Sequence, residues 1–169
     1  TASTTAMLAL GDALAVTVLD LRGFTAEQFA RSHPGGPLGR RLLVHVRDIM
    51  RRDDAIPSVP LNASLSDGLL EMSRKGLGMT AVVDAAGKPL GIFTDGDLRR
   101  AFEGNVNVMT TAIADVMHKN PRSISPDQLA VEAVEIMEQH KVNALLVVGP
   151  QGNLVGALNM HDLLIAKVV

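Results

Sequence analysis

The chain has 169 residues with 16 basic and 18 acidic side chains, and its net charge of −2 gives no positive field for nucleic acid or an anionic membrane. It has no Trp or Tyr and only four Phe, so the aromatic surfaces on which unpaired bases stack are excluded. It also has no Cys, which excludes disulfides, thiolate metal sites and cysteine nucleophiles and favours a reducing, cytoplasmic compartment.

The first predicted element is an apolar helix over residues 4–22. Hydroxyl side chains at 3–5 can cap its start, and Gly23 can supply a left-handed stop. A helix that is apolar nearly all round belongs inside a larger domain, so we expect it to be the end of a domain that lies mostly upstream. Its uninterrupted apolar runs are shorter than the ~18 residues of a membrane span, and neither a span nor a signal peptide is predicted.

A second short helix is predicted over 26–31, and a segment rich in Gly and Pro follows at 32–41. Three glycines and two prolines between residues 33 and 39 exclude regular helix or strand. The segment lacks the Gly-Lys-Ser/Thr ending of a phosphate-binding loop. Its composition indicates an interdomain linker.

The remainder of the chain contains an internal repeat, which is visible in the similar stretches 91–100 and 156–166. Each stretch has a Gly, a short apolar strand, a polar residue, two further residues, an Asp and the start of a helix. Asp97 and Asp162 are 65 residues apart. A repeat of this length predicts two copies of one supersecondary unit.

Each copy is predicted to be a β-α-β-β-α unit. A unit of roughly 55 residues buries too little surface alone, so the two copies should pack on each other. A short segment precedes each copy, at 46–50 and at 114–117, with an offset of 67 residues. The predicted strands are 56–60, 79–84 and 90–94 in copy one and 123–126, 144–148 and 154–158 in copy two, and closing helices begin near 95 and 160.

Two such units in tandem resemble a pair of CBS domains, the regulatory Bateman module, over residues 46–169. Copy one has the Thr94-x-x-Asp97 signature of that family. Copy two has Asn159-x-x-Asp162, in which Asn replaces the hydroxyl residue. The resemblance implies an α/β (α+β) fold in which the two units pack as a pseudo-two-fold pair.

The N-terminal third resembles the end of the sugar isomerase (SIS) domain of bacterial D-arabinose-5-phosphate isomerases. That family interconverts ribulose 5-phosphate and arabinose 5-phosphate for Kdo and lipopolysaccharide biosynthesis. The resemblance implies a SIS tail and linker at 1–45, CBS domain 1 at 46–110 and CBS domain 2 at 111–169. The segments that carry it are 3–6, 11–15, 23–25, 32–36, 38–40, 93–100 and 160–164.

The resemblance also implies a catalytic role for His33, because the family counts the histidine of its Ser-His-Pro-Gly-Gly segment among its active-site residues. Histidine suits the proton transfer or ring opening that an aldose–ketose isomerase performs. The other catalytic residues of the family, and its phosphate loop, lie upstream of Thr1. We therefore expect no turnover from this chain alone, and the alternative for His33 is a flexible, solvated side chain.

The repeated motif has a physical reason to bind a nucleotide. An Asp at a helix start accepts hydrogen bonds from ribose hydroxyls, a Thr at the strand end reaches ribose or phosphate, and free N–H groups favour an anion. Gly91 would allow close backbone approach. The first candidates are Thr94 and Asp97, with Asp95 and Gly96 beside them. The alternative is helix capping, with Thr94 or Asp95 as the N-cap and Asp97 in the first turn.

Further candidates come from strand starts that usually face the ligand cleft in the family. Met79-Thr80 and Asn143-Ala144 are predicted to be equivalent. Thr80 and Asn143 are polar, and their alternative is a hydrogen bond to a nearby backbone group. Arg99 and Arg100 follow Asp97 on the predicted helix and are candidate phosphate partners, with a solvated helix face as the alternative. His161 could hydrogen-bond an acidic ligand, with an interface or surface histidine as the alternative. No metal site is predicted. The further ligand-binding candidates are Met79, Thr80, Arg99, Asn143, Asn159, His161 and Asp162.

The predicted function is regulatory, with a ligand between the repeats that biases the catalytic domains. Adenine nucleotides (AMP or ATP) are the usual ligands of the family, and CMP-Kdo is preferred because it offers a ribose and two acidic groups. The alternative is a ligand-free oligomerisation scaffold for the isomerase subunits. The expected partners are the upstream SIS domain and further copies of the chain, as a dimer of CBS pairs and a tetramer of the full enzyme.

Overall fold

The computed structural model describes residues 1–25, 28, 36, 39 and 42–169. These form two compact units, Thr1–Leu43 and Val44–Val169, which are described separately. His33 and most of the helix predicted over 26–31 lie outside the described residues.

The first unit contains helix α1 (Ala2–Leu21). Thr1 is its N-cap, and Gly23 follows its end in the left-handed conformation with φ of 63°. The predicted helix and its glycine stop are confirmed, while the cap lies two residues earlier than the predicted hydroxyl group. By length and composition alone this helix, with mean hydropathy 1.5, is apolar enough to cross a membrane, contrary to the estimate from uninterrupted apolar runs. A mostly buried core helix of a soluble protein and a signal sequence near the N-terminus meet the same criteria, and this helix is 0% buried, so the finding is weak support for a span.

The second unit contains two similar α+β repeats, as predicted. Each repeat has the order β-α-β-β-α and is preceded by one short helix. The elements up to the end of the first repeat are α2 (Val46–Ile49), β1 (Ser58–Pro60), α3 (Leu65–Lys75), β2 (Met79–Val83), β3 (Pro89–Thr94) and α4 (Asp95–Glu103). Those that follow are α5 (Ile113–Val116), β4 (His118–Lys119), β5 (Ser123–Ile124), α6 (Ala130–His140), β6 (Ala144–Val148), β7 (Leu154–Asn159) and α7 (Met160–Ile165).

Each repeat builds a small mixed sheet. In the first, β1 is parallel to β2, and β2, β3 and β4 are antiparallel neighbours in the order β1-β2-β3-β4. In the second, β5 is parallel to β6, and β6 is antiparallel to β7. In the second sheet, the position that corresponds to β4 is taken by Arg51, which forms an isolated bridge with Ala157 of β7. The two sheets therefore have corresponding edges.

The hairpin registers align the two repeats residue by residue. Met79 pairs with Thr94, and Ala144 pairs with Asn159. Met79 therefore corresponds to Ala144, and Asn143 corresponds to the residue before Met79. The predicted equivalence of Met79-Thr80 with Asn143-Ala144 is wrong by one residue. A shift of one residue exchanges the two faces of a strand, so Thr80 and Asn143 do not occupy matching positions.

Each short helix packs on the opposite repeat. The N–H of Val46 in α2 donates to the carbonyl of Gln128, 2.9 Å away, and the N–H of Ile113 in α5 donates to the carbonyl of Ala63, 3.1 Å away. Both apolar side chains are fully buried. Val46 lies in the core of the second repeat, and Ile113 lies in the core of the first. The segment before each repeat thus completes the other repeat.

A third apolar cluster joins the two sheets. It includes the cross-strand pair Ala81 and Ile92 of the first repeat and the pair Leu146 and Ala157 of the second. Ala81 corresponds to Leu146 and Ile92 corresponds to Ala157, so the small and the large residue of the pair change places between the repeats. This exchange favours close packing, because protein interiors leave little room for two large or two small residues at matched sites.

A second exchange of side-chain size concerns α3 and α5. A Cβ added to Gly68 would lie 2.3 Å from Cδ1 of Ile113. The equivalent residues of the second repeat are Ala133 and Val46, which share one buried cluster. In the second repeat the helix residue is larger, Ala133 in place of Gly68, and its partner is smaller, since Val46 lacks the Cδ1 atom of Ile113.

We expect Gly68→Ala to lower the free energy of unfolding by about 1–3 kcal/mol, because the new methyl group overlaps Ile113. Adding Ile113→Val removes the overlapping atom and should recover most of that loss. Chemical denaturation of the two variants measures the effect. Ile113→Val alone is the control and should cost about 0.5–1.5 kcal/mol. A double variant that is as unstable as the sum of the two single variants would contradict the proposed packing.

Candidate functional site

A cavity of 710 Å³ is lined by residues of both repeats. The first repeat contributes the turn before β2 and the junction of β3 with α4, and the second contributes the equivalent turn and junction. We call this cavity the inter-repeat cleft. Its lining at these equivalent positions consists of Gly76, Leu77, Gly78, Thr94, Asp95, Gly96 and Asp97, and of Lys141, Val142, Asn143, Asn159, Met160 and His161.

The first motif forms a capping box at the start of α4. The Thr94 side chain is the N-cap and accepts from the N–H of Asp97 at 3.3 Å. Asp97 Oδ2 accepts in return from the Thr94 N–H at 2.9 Å and from its hydroxyl at 2.7 Å. Its other oxygen, Oδ1, accepts from the guanidinium of Arg100, whose side chain is 68% exposed. The helix cap that was considered as the alternative role of the motif is therefore formed. It uses Oδ2 of Asp97, and Oδ1 is bonded only to the exposed side chain of Arg100.

The second motif forms the same box at the start of α7. The Asn159 side chain accepts from the N–H of Asp162, and Asp162 Oδ2 accepts from the N–H of Asn159, both at 3.0 Å. Asn thus makes the cap that Thr makes in the first repeat. Asp162 Oδ1 accepts from Arg51 at 3.2 Å, and the same guanidinium donates to the carbonyl of Lys75 at 2.8 Å.

Basic and imidazole side chains surround the carboxylates of the cleft. His161 is among them, and of the two arginines considered as phosphate partners, Arg99 and Arg100, Arg100 lines the cleft. The carboxylates are those of Asp95 and Asp97. This excess of positive and protonatable groups favours an anionic ligand. The residues that carry it are Arg100, His118, Arg122, His140, Lys141 and His161.

Four of the candidate residues do not line the cleft in the described part of the chain: Met79, Thr80, Arg99 and Asp162. Met79 is fully buried in the apolar cluster that joins the two sheets, and Thr80 is fully buried as well. The Thr80 hydroxyl donates to the carbonyl of Gly68 at 2.9 Å, which is the backbone role considered as its alternative. Arg99 is exposed on α4.

Gly91 allows a close approach of the protein's own chain. A Cβ at this position would lie 2.4 Å from Sδ of Met117 and 3.0 Å from the carbonyl oxygen of His118. At the equivalent Gly156 it would lie 2.6 Å from Sδ of Met50. We call residues 50–51 and 117–119 the crossing segments, because each follows a short helix that packs on the opposite repeat. The expectation that Gly91 admits a ligand is corrected: the crossing segments occupy the space beside both glycines.

Several cleft residues near the second crossing segment and on α6 were not predicted from the sequence. His118, Arg122 and His140 are far from either motif in sequence, so local pattern gave no reason to select them. The offset of 67 residues aligns Arg51 with His118, and this alignment is the sequence signal by which the crossing segments could have been found. Among the residues that the structure describes, no three His, Asp or Glu side chains form a group that could hold a metal ion.

Comparison with known proteins gives a consistent result. The sequence pattern of the CBS domain matches residues 46–104 and 113–168. The chain is 54% identical over 169 residues to arabinose 5-phosphate isomerase KdsD of Pseudomonas aeruginosa, a match that covers 100% of this chain and 52% of that protein. The chain thus spans about half the length of the curated relatives it matches.

Solved structures share the fold of the second unit. The AcuB protein of Vibrio cholerae is 28% identical with a TM-score of 0.66, and the match covers 75% of this chain and 92% of that one. A CBS domain protein from Pyrobaculum aerophilum, solved in complex with AMP, is 20% identical with a TM-score of 0.65. That match covers 71% of this chain and 90% of the other.

Proposed function

This chain belongs to the CBS domain family, and we propose that its paired repeats are the nucleotide-sensing module of an arabinose-5-phosphate isomerase. The resemblance to that enzyme over the whole chain supports the proposal. In this arrangement residues 1–45 are the tail and linker of a SIS domain, and 46–110 and 111–169 are the two CBS domains. The complete cytoplasmic enzyme would interconvert ribulose 5-phosphate and arabinose 5-phosphate for Kdo and lipopolysaccharide biosynthesis. His33 would then serve a catalytic site completed by the upstream domain.

The placement of Asp97 is the observation that carries the regulatory role. Asp97 combines a fixed orientation, set by the Thr94 capping box, with a position in the lining of the inter-repeat cleft. Its Oδ1 becomes available to ribose hydroxyls when Arg100 turns toward solvent. The cleft volume of 710 Å³ falls within the range of small-molecule sites, which is about 300–1,000 Å³.

The surrounding charge supports a ligand that is a nucleotide or a nucleotide sugar. The basic side chains Arg100, Arg122 and Lys141 lie where a phosphate would neutralise them. AMP is the ligand of the Pyrobaculum aerophilum protein, and ATP is of the same class. CMP-Kdo is our preferred effector because it adds a carboxylate to its phosphate, and the cleft has several cationic groups to receive both.

Regulation follows from the position of the cleft between the repeats. A ligand there contacts both halves of the module and stabilises the arrangement of the repeats that it fits best. By linkage, that arrangement changes the activity of the attached catalytic domain only if the two conformations of the enzyme differ in ligand affinity. The ligand is therefore an effector, and no catalytic cofactor is required of this module.

The test is ligand affinity after Asp97→Asn, measured by isothermal titration calorimetry with CMP-Kdo, AMP, ATP and arabinose 5-phosphate. Loss of a charged hydrogen-bond acceptor costs about 1.5–3 kcal/mol, which is a weakening of about 10–100-fold. The matched control is Asp67→Asn. Asp67 makes the same capping box with Ser64, at 2.7 Å and 3.1 Å, but lies outside the cleft lining.

We expect Asp67→Asn to leave the affinity unchanged, because it alters only a helix cap. Equal weakening in both variants would mean that the change acts through fold stability and not through a ligand contact. If none of the four compounds binds the unaltered protein, the sensing role is wrong. Binding of AMP or ATP without CMP-Kdo would reverse our preferred order of effectors.

A ligand-free scaffold is the second candidate, and exposed apolar side chains on three helices favour it. Leu70 of α3 is 62% exposed, Phe102 of α4 is 65% exposed and Ile165 of α7 is 67% exposed. Such side chains are suited to association of CBS pairs as dimers, with tetramers in the full enzyme. Light scattering of Leu70→Glu and Phe102→Glu separates the candidates. Loss of the oligomer with nucleotide affinity retained would assign assembly and sensing to different surfaces.

A further inference from the structure

We propose that Arg51 blocks the Asp162 carboxylate of the second motif, so that each chain binds one ligand in the inter-repeat cleft, oriented by the Thr94–Asp97 motif. The inference rests on the proposed sensing function and adds to it the number and place of the ligands. Its basis is an asymmetry between two motifs that hold the same position in their repeats and that both form a capping box.

Arg51 is fixed at both its backbone and its side chain. Its N–H donates to the carbonyl of Ala157 at 2.8 Å, and its own carbonyl accepts from the Ala157 N–H at 3.2 Å. The guanidinium bonds to Asp162 Oδ1 at 3.2 Å and to the carbonyl of Lys75 at 2.8 Å. Only 26% of the Arg51 side chain and 13% of the Asp162 side chain are exposed. This arrangement connects the crossing segment, the end of α3 in the first repeat and the second motif.

The equivalent position in the other half is His118, on β4. It pairs with Ile92, which corresponds to Ala157, so the two crossing segments meet matching strands. His118 lines the cleft together with Asp97, and Arg51 and Asp162 do not. An imidazole is shorter than an arginine side chain, so the cleft stays open at the first motif.

The two carboxylates also differ in the cost of releasing their cation. Asp97 Oδ1 is held by Arg100, which is 68% exposed and lies one helical turn away. Asp97 itself is only 9% exposed, so the two pairs differ in their cations: the guanidinium of Arg100 is solvated and can turn away from Asp97 at little cost. Release of Asp162 requires Arg51 to give up two hydrogen bonds in a region that is mostly buried. A ribose therefore competes easily for Asp97 and poorly for Asp162.

The first measurement is a double-mutant cycle that needs no ligand. Thermal unfolding is followed for Arg51→Met, Asp162→Asn and the double variant, with Met chosen because it keeps the apolar stem. We expect a coupling of about 2–4 °C in Tm between the two positions. The matched cycle of Arg100→Met with Asp97→Asn should show a smaller coupling, because the Arg100 guanidinium is mostly solvated. Equal coupling in the two cycles would overturn the inference.

The second measurement is the number of ligands bound at saturation, determined by titration calorimetry with AMP and with CMP-Kdo. The unaltered protein should bind one molecule per chain, and Arg51→Met should bind two. Arg52→Met is the control for charge, because Arg52 neighbours Arg51 but is exposed, and it should still bind one.

Two ligands on the unaltered protein, or one on Arg51→Met, would overturn the inference while leaving the sensing function in place. If neither compound binds either protein, the sensing function itself fails. The mutant cycle then still decides whether Arg51 holds the second motif, since it is measured without ligand.

Discussion

Replacement of Val46 by Ala is expected to loosen the second repeat, although Val46 precedes the first repeat in sequence. Its side chain is fully buried in the cluster formed by α6, β6 and β7. Removing buried methyl groups there leaves a cavity that the surrounding core fills only in part, and the expected loss is about 2 kcal/mol. Hydrogen exchange should report the change mainly in α6 and β6.

The matched control for this prediction is Ile113→Ala, which removes the equivalent residue of α5. Ile113 is fully buried in the core of the first repeat, so exchange should rise mainly in α3 and β2. The expected loss is about 2–5 kcal/mol, because more of the side chain is removed. If each variant loosened the repeat that follows it in sequence, the crossed packing of the two short helices would be wrong. A uniform rise in both repeats would mean that they unfold only together.

Gly91→Ala is expected to have the other large effect, a loss of about 3 kcal/mol in the free energy of unfolding. The new Cβ would lie 2.4 Å from Sδ of Met117, and it would also lie 3.0 Å from the carbonyl oxygen of His118. The methionine side chain can move, but the backbone of β4 is paired with β3 and cannot retreat without losing that pairing. Urea denaturation measures the loss.

Two further variants test the cause of that effect. Met117→Ala removes the nearer obstacle, so adding it to Gly91→Ala should cost less than the sum of the single changes, with the His118 overlap remaining. Gly96→Ala is the control, because the atoms nearest to its added Cβ are 3.6 Å away and Ala favours a helix. It should leave the stability unchanged or raise it. A stable Gly91→Ala variant would show that β4 is free to move away from β3.

Much of the fold followed from local pattern in the sequence. The repeat of Asp97 at Asp162 predicted two equivalent units, and both have the predicted order of strands and helices. Of the candidate site residues, Thr94, Asp95 and Gly96 line the cleft with Asp97, and Asn143, Asn159 and His161 line it from the second repeat. Their use by a ligand remains a prediction. Thr80 was a ligand candidate because it is polar, but its hydroxyl donates to the carbonyl of Gly68 inside the first repeat.

The sequence by itself determined the repeat, its hairpins and its helix starts, because caps, turns and apolar periodicity act over a few residues. Asn159, which the sequence analysis treated only as a departure from the motif, caps its helix as Thr94 does, since both side chains offer an oxygen to the N–H three residues on. Only the tertiary structure decided that α2 and α5 exchange repeats, and hence that Arg51 reaches Asp162 while His118 faces the cleft. Those contacts join residues as many as 111 positions apart, and they depend on how two separately patterned units bury their remaining apolar faces together.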